Sequence, residues 1–278
     1  MASTKLTHQG WIGLTSGKWS TSGNKTIVNN EDGIGLTTDL TAKTGAGSLH
    51  ISGQTNTRRA AVVFDGTLDC TEQKDGSKST IQGTSTMGSG VVSYFGTILL
   101  GSGNDKITGI GSLRTGISNG GLIRTGGGND TLRGIGIIDP DPDREHYGIN
   151  NSGTILLGDG DDTVDALIGG LGGNGYIHFG GDRNTLKGFG EQTVYGGGSR
   201  ESRILLNPGT YYIVDQIDST QHDDSTGAFA IKMKEDASAA TMDVDGFGLI
   251  GGAEYQDGVL KIREGTLVVA SDGSARYL

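Results

Sequence analysis

Five short segments of this chain lie over one another: Gly-Thr-Ile-Leu-Leu-Gly at 96–101, Gly-Leu-Ile-Arg-Thr-Gly at 121–126, Gly-Thr-Ile-Leu-Leu-Gly again at 153–158, Gly-Tyr-Ile-His-Phe-Gly at 175–180 and Ser-Arg-Ile-Leu-Leu-Asn at 202–207. Self-similarity at intervals of a few tens of residues points to a repeat architecture, in which each unit buries its apolar side against its neighbours. Strand alternation sends Ile98, Ile123, Ile155, Ile177 and Ile204 to one face, joined two places on by Leu100, Thr125, Leu157, Phe179 and Leu206. A lone strand of this length has nothing to cover that face. Coils stacked about 4.8 Å apart cover it and pair each other's backbones. The expected fold is all-β, a right-handed parallel β-solenoid of the β-helix or β-roll kind.

The first four segments each run into a second shared element: Gly-Ser-Gly-Asn-Asp-Lys-Ile at 101–107, Gly-Gly-Gly-Asn-Asp-Thr-Leu at 126–132, Gly-Asp-Gly-Asp-Asp-Thr-Val at 158–164 and Gly-Gly-Asp-Arg-Asn-Thr-Leu at 180–186. Each is a turn followed by an apolar anchor. Asp105, Asp130, Asp162 and Asn184 recur at intervals of 25, 32 and 22 residues, so one coil takes roughly 22 to 25 residues with an insertion in the second. Gly-x-Gly-Asn/Asp-Asp is good turn chemistry in itself and needs no metal to explain it. It also gathers carboxylates and turn carbonyls, the hard oxygen ligands that calcium takes six to eight at a time.

These turns resemble the nonapeptide of the RTX, or haemolysin-type, calcium-binding family, Gly-Gly-x-Gly-x-Asp-x-apolar-x, over about 90 of the 278 residues. In the match, Gly101, Gly126 and Gly158 take the second-glycine place and Gly103, Gly128 and Gly160 the third. Asp105, Asp130 and Asp162 take the ligand place, and Ile107, Leu132 and Val164 the anchor. The resemblance implies calcium as the cofactor, held in a ladder along one edge by Leu100, Ser102, Asn104 and Asp105, by Thr125, Gly127, Asn129 and Asp130, and by Leu157, Asp159, Asp161 and Asp162. The first glycine is replaced throughout, by Leu100, Thr125, Leu157 and Phe179. In the fourth copy Asp182 stands for the third glycine and Asn184 for the aspartate, so a weak half-site or a purely structural turn is expected there.

Composition agrees with a thin, regular stack. The chain has 52 glycines against 3 prolines without a triplet period, which excludes collagen, and its hydrophobic content of 33% suits short strands better than a helical bundle. A net charge of −10 argues against nucleic acid or an anionic membrane as partner. Cys70, the one cysteine, excludes an internal disulfide and reads as a small buried residue. The first residues carry no apolar segment of a cleaved leader, and no apolar run is long enough to span a membrane. Residues 1–95, with pieces such as Thr26-Ile27-Val28, Leu49-His50-Ile51 and Ala61-Val62-Val63-Phe64, read as degenerate coils, 96–207 as the calcium-binding coils and 208–278 as a β-rich C-terminal cap.

Other candidates are weaker. The insertion Asp139-Pro140-Asp141-Pro142-Asp143-Arg144-Glu145-His146-Tyr147 concentrates titratable groups on a stiff loop; Arg144, Glu145, His146 and Tyr147 are the catalytic candidates, and a solvated loop is the plainer reading. His178 alternates outward, Arg58-Arg59 reads equally as an anion site or as a charged strand edge, and Trp11 and Trp19 read as caps of the first coil ahead of a surface for stacking sugars. Two classes of function follow. One is an extracellular or cell-surface structural or interaction protein that calcium stiffens, forming homo-oligomers or filaments or binding extracellular polysaccharide, and exported without a cleaved signal peptide as the family resemblance implies. The other is a β-solenoid enzyme acting on a polysaccharide or a small molecule at the 139–147 insertion.

Overall fold

The computed structural model describes residues 23–137, 146–216, 228–233, 240–253 and 258–278, together with the strand backbones Lys5–Leu6, Ile12–Gly13 and Gly17–Trp19. Every regular element among the described residues is a β-strand, and no helix is long and apolar enough to cross a membrane. The strands build three sheets of eleven, seven and thirteen members, hereafter the first, second and third sheets. A full coil gives one strand to each. Lys106–Gly111 lies in the first sheet, Ile117–Asn119 in the second and Leu122–Gly127 in the third, before Thr131–Gly136 returns to the first beside its predecessor. Coil-to-coil pairing is parallel throughout the stack. The β-solenoid architecture expected from the repeats is present.

In-register pairing turns the repeat into columns. In the first sheet Ile27, Ile51, Ile81, Ile107, Leu132, Val164, Leu186, Ile204 and Ile250 succeed one another. In the third sheet the column runs Leu40, Leu68, Ile98, Ile123, Ile155, Ile177, Val194 and Val244. Ile34, Val62, Val91, Ile117, Ile149 and Leu171 form the third face of the core. The members are buried, and each meets a near copy of itself above and below, so these columns pack with aliphatic side chains alone, while Phe64, Phe179, Tyr211 and Phe247 fill the core beside them.

One expected alignment is wrong. Ile204 does not continue the Ile98 to Ile177 column; it pairs with Leu186 in the first sheet, and Val194 takes the expected place. The second sheet ends at Leu171–Gly172, leaving only a single bridge from Leu171 to Gly190, so the coil from Leu186 to Ile204 is just 18 residues long (204 − 186) and shifts phase against the longer ones. An Ile-Leu-Leu strand satisfies either face, and coil length decides which.

A glycine column, invisible as such in the sequence, sets the thickness of the coil. Two places after the core isoleucines stand Gly53, Gly83, Gly109 and Gly134, in register and facing the start of the second sheet. A Cβ on Gly109 would lie 2.1 Å from the Gly116 carbonyl oxygen, and the same gap recurs at Gly83 against Gly90. The two sheets touch backbone to backbone there, which only glycine permits. Gly109→Ala is expected to cost on the order of 3 kcal/mol or more, because the Cβ would meet the Gly116 backbone, which cannot move aside as a flexible side chain could. Thermal unfolding followed by circular dichroism tests this against Gly181→Ala, whose Cβ would meet nothing within 4 Å. Equal melting temperatures for the two variants would refute the account.

Beyond Leu206 the stack is closed. Thr241–Asp245 and Leu249–Gly252 still pair parallel onto the third and first sheets. Gly209–Asp215, Phe229–Lys232, Gly265–Val269 and Ala275–Tyr277 extend the third sheet antiparallel, and Leu260–Lys261 does the same for the first. The strand pieces noted in residues 23–95 belong to the same three sheets as the central coils.

Candidate cation corner

The shared turns all fall at the corner between the third and first sheets. Strand polarity sends each chain out of the third sheet through Gly-x-Gly and into the first sheet directly after the aspartate. Gly126 and Gly158, with φ of +105° and +107°, adopt the left-handed backbone that makes this corner. A Cβ on Gly158 would lie 1.7 Å from the Gly126 oxygen, so each corner is also stacked closely on the previous one. Gly101 and Gly103 are outside the left-handed region, so the first copy turns differently. In the fourth copy Asp182 accepts φ +66° where Gly160 stands one coil earlier, and its Oδ2 takes the Gly160 N–H at 3.1 Å.

Register places Ser79, Asp105, Asp130, Asp162, Asn184 and Ser202 in one column just inside this corner. The three aspartates are each only 1% exposed. Each member after Ser79 accepts a hydrogen bond from the backbone N–H one coil back. Ser79 N donates to Asp105 Oδ1, Asp105 N to Asp130 Oδ1 at 2.7 Å, Asp130 N to Asp162 Oδ1 at 2.8 Å, Asp162 N to Asn184 Oδ1 at 2.9 Å and Asn184 N to Ser202 Oγ at 3.0 Å. This ladder serves N–H groups that the corner takes out of sheet pairing, and to that extent the plain turn reading of the motif is sufficient.

It does not account for the other carboxylate oxygen. Oδ2 of Asp105, of Asp130 and of Asp162 is buried and has no hydrogen-bond partner. The Thr125 hydroxyl lies beside Asp130 and opposes the rise of its carboxyl, but it also reaches the Leu157 carbonyl at 2.9 Å, so one proton is shared between two acceptors. Asn184 shows where that second atom points: its Nδ2 donates to the Gly181 carbonyl at 2.7 Å and the Gly196 carbonyl at 3.2 Å. An amide is therefore fully satisfied at a position where three carboxylates are not. Burial pushes Asp105 up to about 7, opposed by the Ser79 N–H, the nearby Gly101 N–H and the charge of Lys78, and reinforced by the charge of Asp130. It likewise pushes Asp162 up to about 7, with Asp130 donating against it and the charges of Asp130, Asp161 and Asp182 adding to it. Asp130 reaches about 6, again through burial.

A second column runs outside the first and points the other way. Asn129 N donates to Asn104 Oδ1 at 2.8 Å, Asp161 N to Asn129 Oδ1 at 3.0 Å and Arg183 N to Asp161 Oδ1 at 3.0 Å. Arg183, through its N–H and its guanidinium at 2.7 Å, holds Asp161 below the usual carboxylate range. The side chains of Asn104, Asn129 and Asp161 are thus occupied at the surface, whereas those of Asp105, Asp130 and Asp162 turn inward. Leu100, Thr125 and Leu157 are buried on the third-sheet side of the corner. Ser102 bonds Asp75 and the Gly76 N–H at the surface, and the Asp159 carbonyl accepts Gly128 N–H at 2.9 Å.

Among the described residues no group of three or more His, Cys, Asp or Glu side chains converges as a metal cluster. A cation at this corner would draw on one or two carboxylates and otherwise on turn carbonyls, a donor set that suits a hard ion such as calcium. The orphaned Oδ2 atoms are the feature that fits one.

The opposite corner, between the second and third sheets, was missed from sequence. Asn119 Nδ2 donates to Asn151 Oδ1 at 2.8 Å, and Asn151 Nδ2 to Gln192 Oε1 at 2.8 Å and the Tyr176 carbonyl at 3.0 Å. Both asparagines are buried and precede a glycine by two residues, Gly121 and Gly153, which is the signal that was available. Here neutral amides do the work that carboxylates do across the coil.

The remaining candidates do not converge. Asp139 to Glu145, and with them Arg144 and Glu145, lie outside the described residues, as does Trp11; Trp19 ends a described strand backbone. His146 is half-buried with both ring nitrogens unpartnered among the described residues, and Tyr147 lays its ring against Gly172. His178 is exposed, 5.8 Å from the Tyr195 ring. Arg58 and Arg59 sit in a turn after Leu49–Thr55, not along a strand edge, because the chain is there crossing to the second sheet. Cys70 is free and buried, and burial raises its thiol far above the ordinary value. No protein-family model, no curated protein and no solved structure matches the chain.

Proposed function

We propose that this protein is an extracellular or cell-surface structural or interaction rod, a β-solenoid stiffened by calcium ions shared between successive corners. The observation that carries the reading is the set of three buried, partnerless Oδ2 atoms in register, next to an asparagine whose amide nitrogen finds two carbonyls in the equivalent place. A buried carboxylate oxygen without a donor is costly until a proton or a cation meets it. The fit of the corner turns to the RTX nonapeptide points to the same ion, to export and to millimolar calcium outside the cell. Asp105, Asp130 and Asp162 would supply the charged oxygens and the corner carbonyls the rest. Calcium would then hold the coils at fixed spacing and cancel part of the negative charge of the chain. Tyr176, 53% exposed, and Tyr195 on the outer face of the third sheet are surfaces on which a polysaccharide ring can stack.

The test is calorimetric titration of chelator-stripped protein with calcium, paired with thermal melts. Saturable uptake is expected, together with stabilisation of roughly 3 kcal/mol per site at a hundredfold excess over the dissociation constant. Unchanged melting and no uptake at millimolar free calcium would remove the reading.

A further inference from the structure

We propose that Asn184 terminates the cation column, its amide nitrogen standing where an ion stands beside each aspartate below it and so limiting how many ions the corner holds. This rests on the calcium reading above. Asn184 follows Asp162 in register, is fully buried, and accepts the Asp162 N–H through Oδ1 just as Asp162 accepts the Asp130 N–H. The two residues therefore present their second atom in the same direction. In Asp162 that atom is an oxygen without a partner, and in Asn184 it is an NH2 bonded to the carbonyls of Gly181 and Gly196, one from its own coil and one from the next.

An amide nitrogen and a bound cation do the same electrostatic work there, since each brings positive charge to two carbonyl oxygens. The amide does it permanently, without net charge and without taking an ion from solution. The other end of the column is closed in the same manner by neutral groups, Ser79 with its hydroxyl 3.0 Å from Gln73 Oε1. Above Asn184 comes Ser202, also neutral, whose Oγ lies 3.1 Å from the Gly196 carbonyl. Charge in this column is thus confined to three consecutive coils, and its flanking members Ser79, Asn184 and Ser202 are met by neutral hydrogen-bond partners. An aspartate at 184 would extend the charged run by one coil, with the Gly181 and Gly196 carbonyls already in place to meet an ion.

The experiment counts calcium ions by native mass spectrometry on the full chain refolded in calcium, for the unmodified protein, for Asn184→Asp and for Asp162→Asn. Asn184→Asp is expected to hold one ion more than the unmodified protein and Asp162→Asn at least one fewer. The gap in melting temperature between calcium and chelator should widen in Asn184→Asp, because the variant loses two hydrogen bonds when empty and recovers them as ligation when filled. Folded Asn184→Asp carrying the same number of ions as the unmodified protein overturns the inference and leaves the calcium reading standing. Unmodified protein that carries none overturns both. If Asn184→Asp folds only with calcium present, the widened gap is seen in its extreme form, and the ion count still decides.

Discussion

Asp130→Asn is expected to raise the melting temperature of the calcium-free protein and, at the same time, to abolish most of the stabilisation that calcium provides. Asp130 is the middle of the three carboxylates, so in the proposed arrangement ions shared between neighbouring coils on either side would both depend on it. In the empty protein its Oδ2 is a buried charge without a partner, next to two other carboxylates in the same column. Asparagine keeps the oxygen that accepts the Asp105 N–H and replaces the orphan with a donor, the substitution that the fold already carries at 184. Relief of one unpaired buried group amounts to about 2 kcal/mol, or roughly 5 °C for a chain of this size. Opposite signs in the two conditions make the prediction demanding. A variant that melts lower than the parent in chelator and retains the full calcium increment would show that Asp130 is only a turn residue.

The second large effect is on pH. Asp105 and Asp162 are raised to about 7 and Asp130 to about 6, all primarily by burial. A carboxylate whose folded pKa exceeds its unfolded value near 4 binds more protons when folded, so its favourable contribution is complete below about pH 4 and is lost as pH rises through 6 to 7. Metal-free protein should therefore become less stable between pH 4 and pH 7, by several kcal/mol in all at roughly 1.4 kcal/mol per unit of pKa displacement. In acid each Oδ2 carries a proton and can donate to a carbonyl as the Asn184 amide does. Asp161 and Asp272 are held low, by Arg183 and Ser274 respectively, and so act in the opposite direction, but both are exposed and weigh less. With saturating calcium the slope should invert, since ligation needs ionised carboxylates and releases their protons. Urea unfolding of demetallated protein at three pH values, with and without added calcium, measures both slopes. Metal-free stability that climbs steadily from pH 4 to 7 would contradict the burial of unpaired charge at this corner.

The contrast between the two corners explains why carboxylates are informative here. Asn119, Asn151 and Gln192 form an internal ladder in which amide donors and acceptors satisfy one another from coil to coil. If the carboxylate corner needed only to satisfy backbone N–H groups, asparagine at 105, 130 and 162 would serve, as it does at 184. Retaining three charges at a buried place costs stability in the empty protein, and under the calcium reading proposed above it is what would make the stack responsive to a cation.

How far the sequence reached is clearest residue by residue. Ile98, Ile123, Ile155 and Ile177 were placed in one column correctly, and Asp105, Asp130 and Asp162 fall in another, because in a parallel stack each coil templates the next and equal spacing in sequence becomes equal position in space. Ile204 was misplaced because a phase depends on the length of the whole coil, and the loss of the second-sheet strand shortens it. Gly53, Gly83, Gly109 and Gly134 could be counted but not understood, since their purpose is the approach of carbonyls from another sheet, a distance across the coil that no local pattern contains. The amide ladder escaped for the same reason: Gln192 lies 41 residues from its partner Asn151.

Sequence alone determined that this chain stacks strands and aligns its turn aspartates, because repetition is a one-dimensional property that parallel pairing copies directly into three dimensions. Only the tertiary structure decided which oxygen of each aspartate finds a donor and which is left facing the interior. That depends on the N–H one coil below and the carbonyls around the corner, groups that belong to every residue alike and acquire a role only through position.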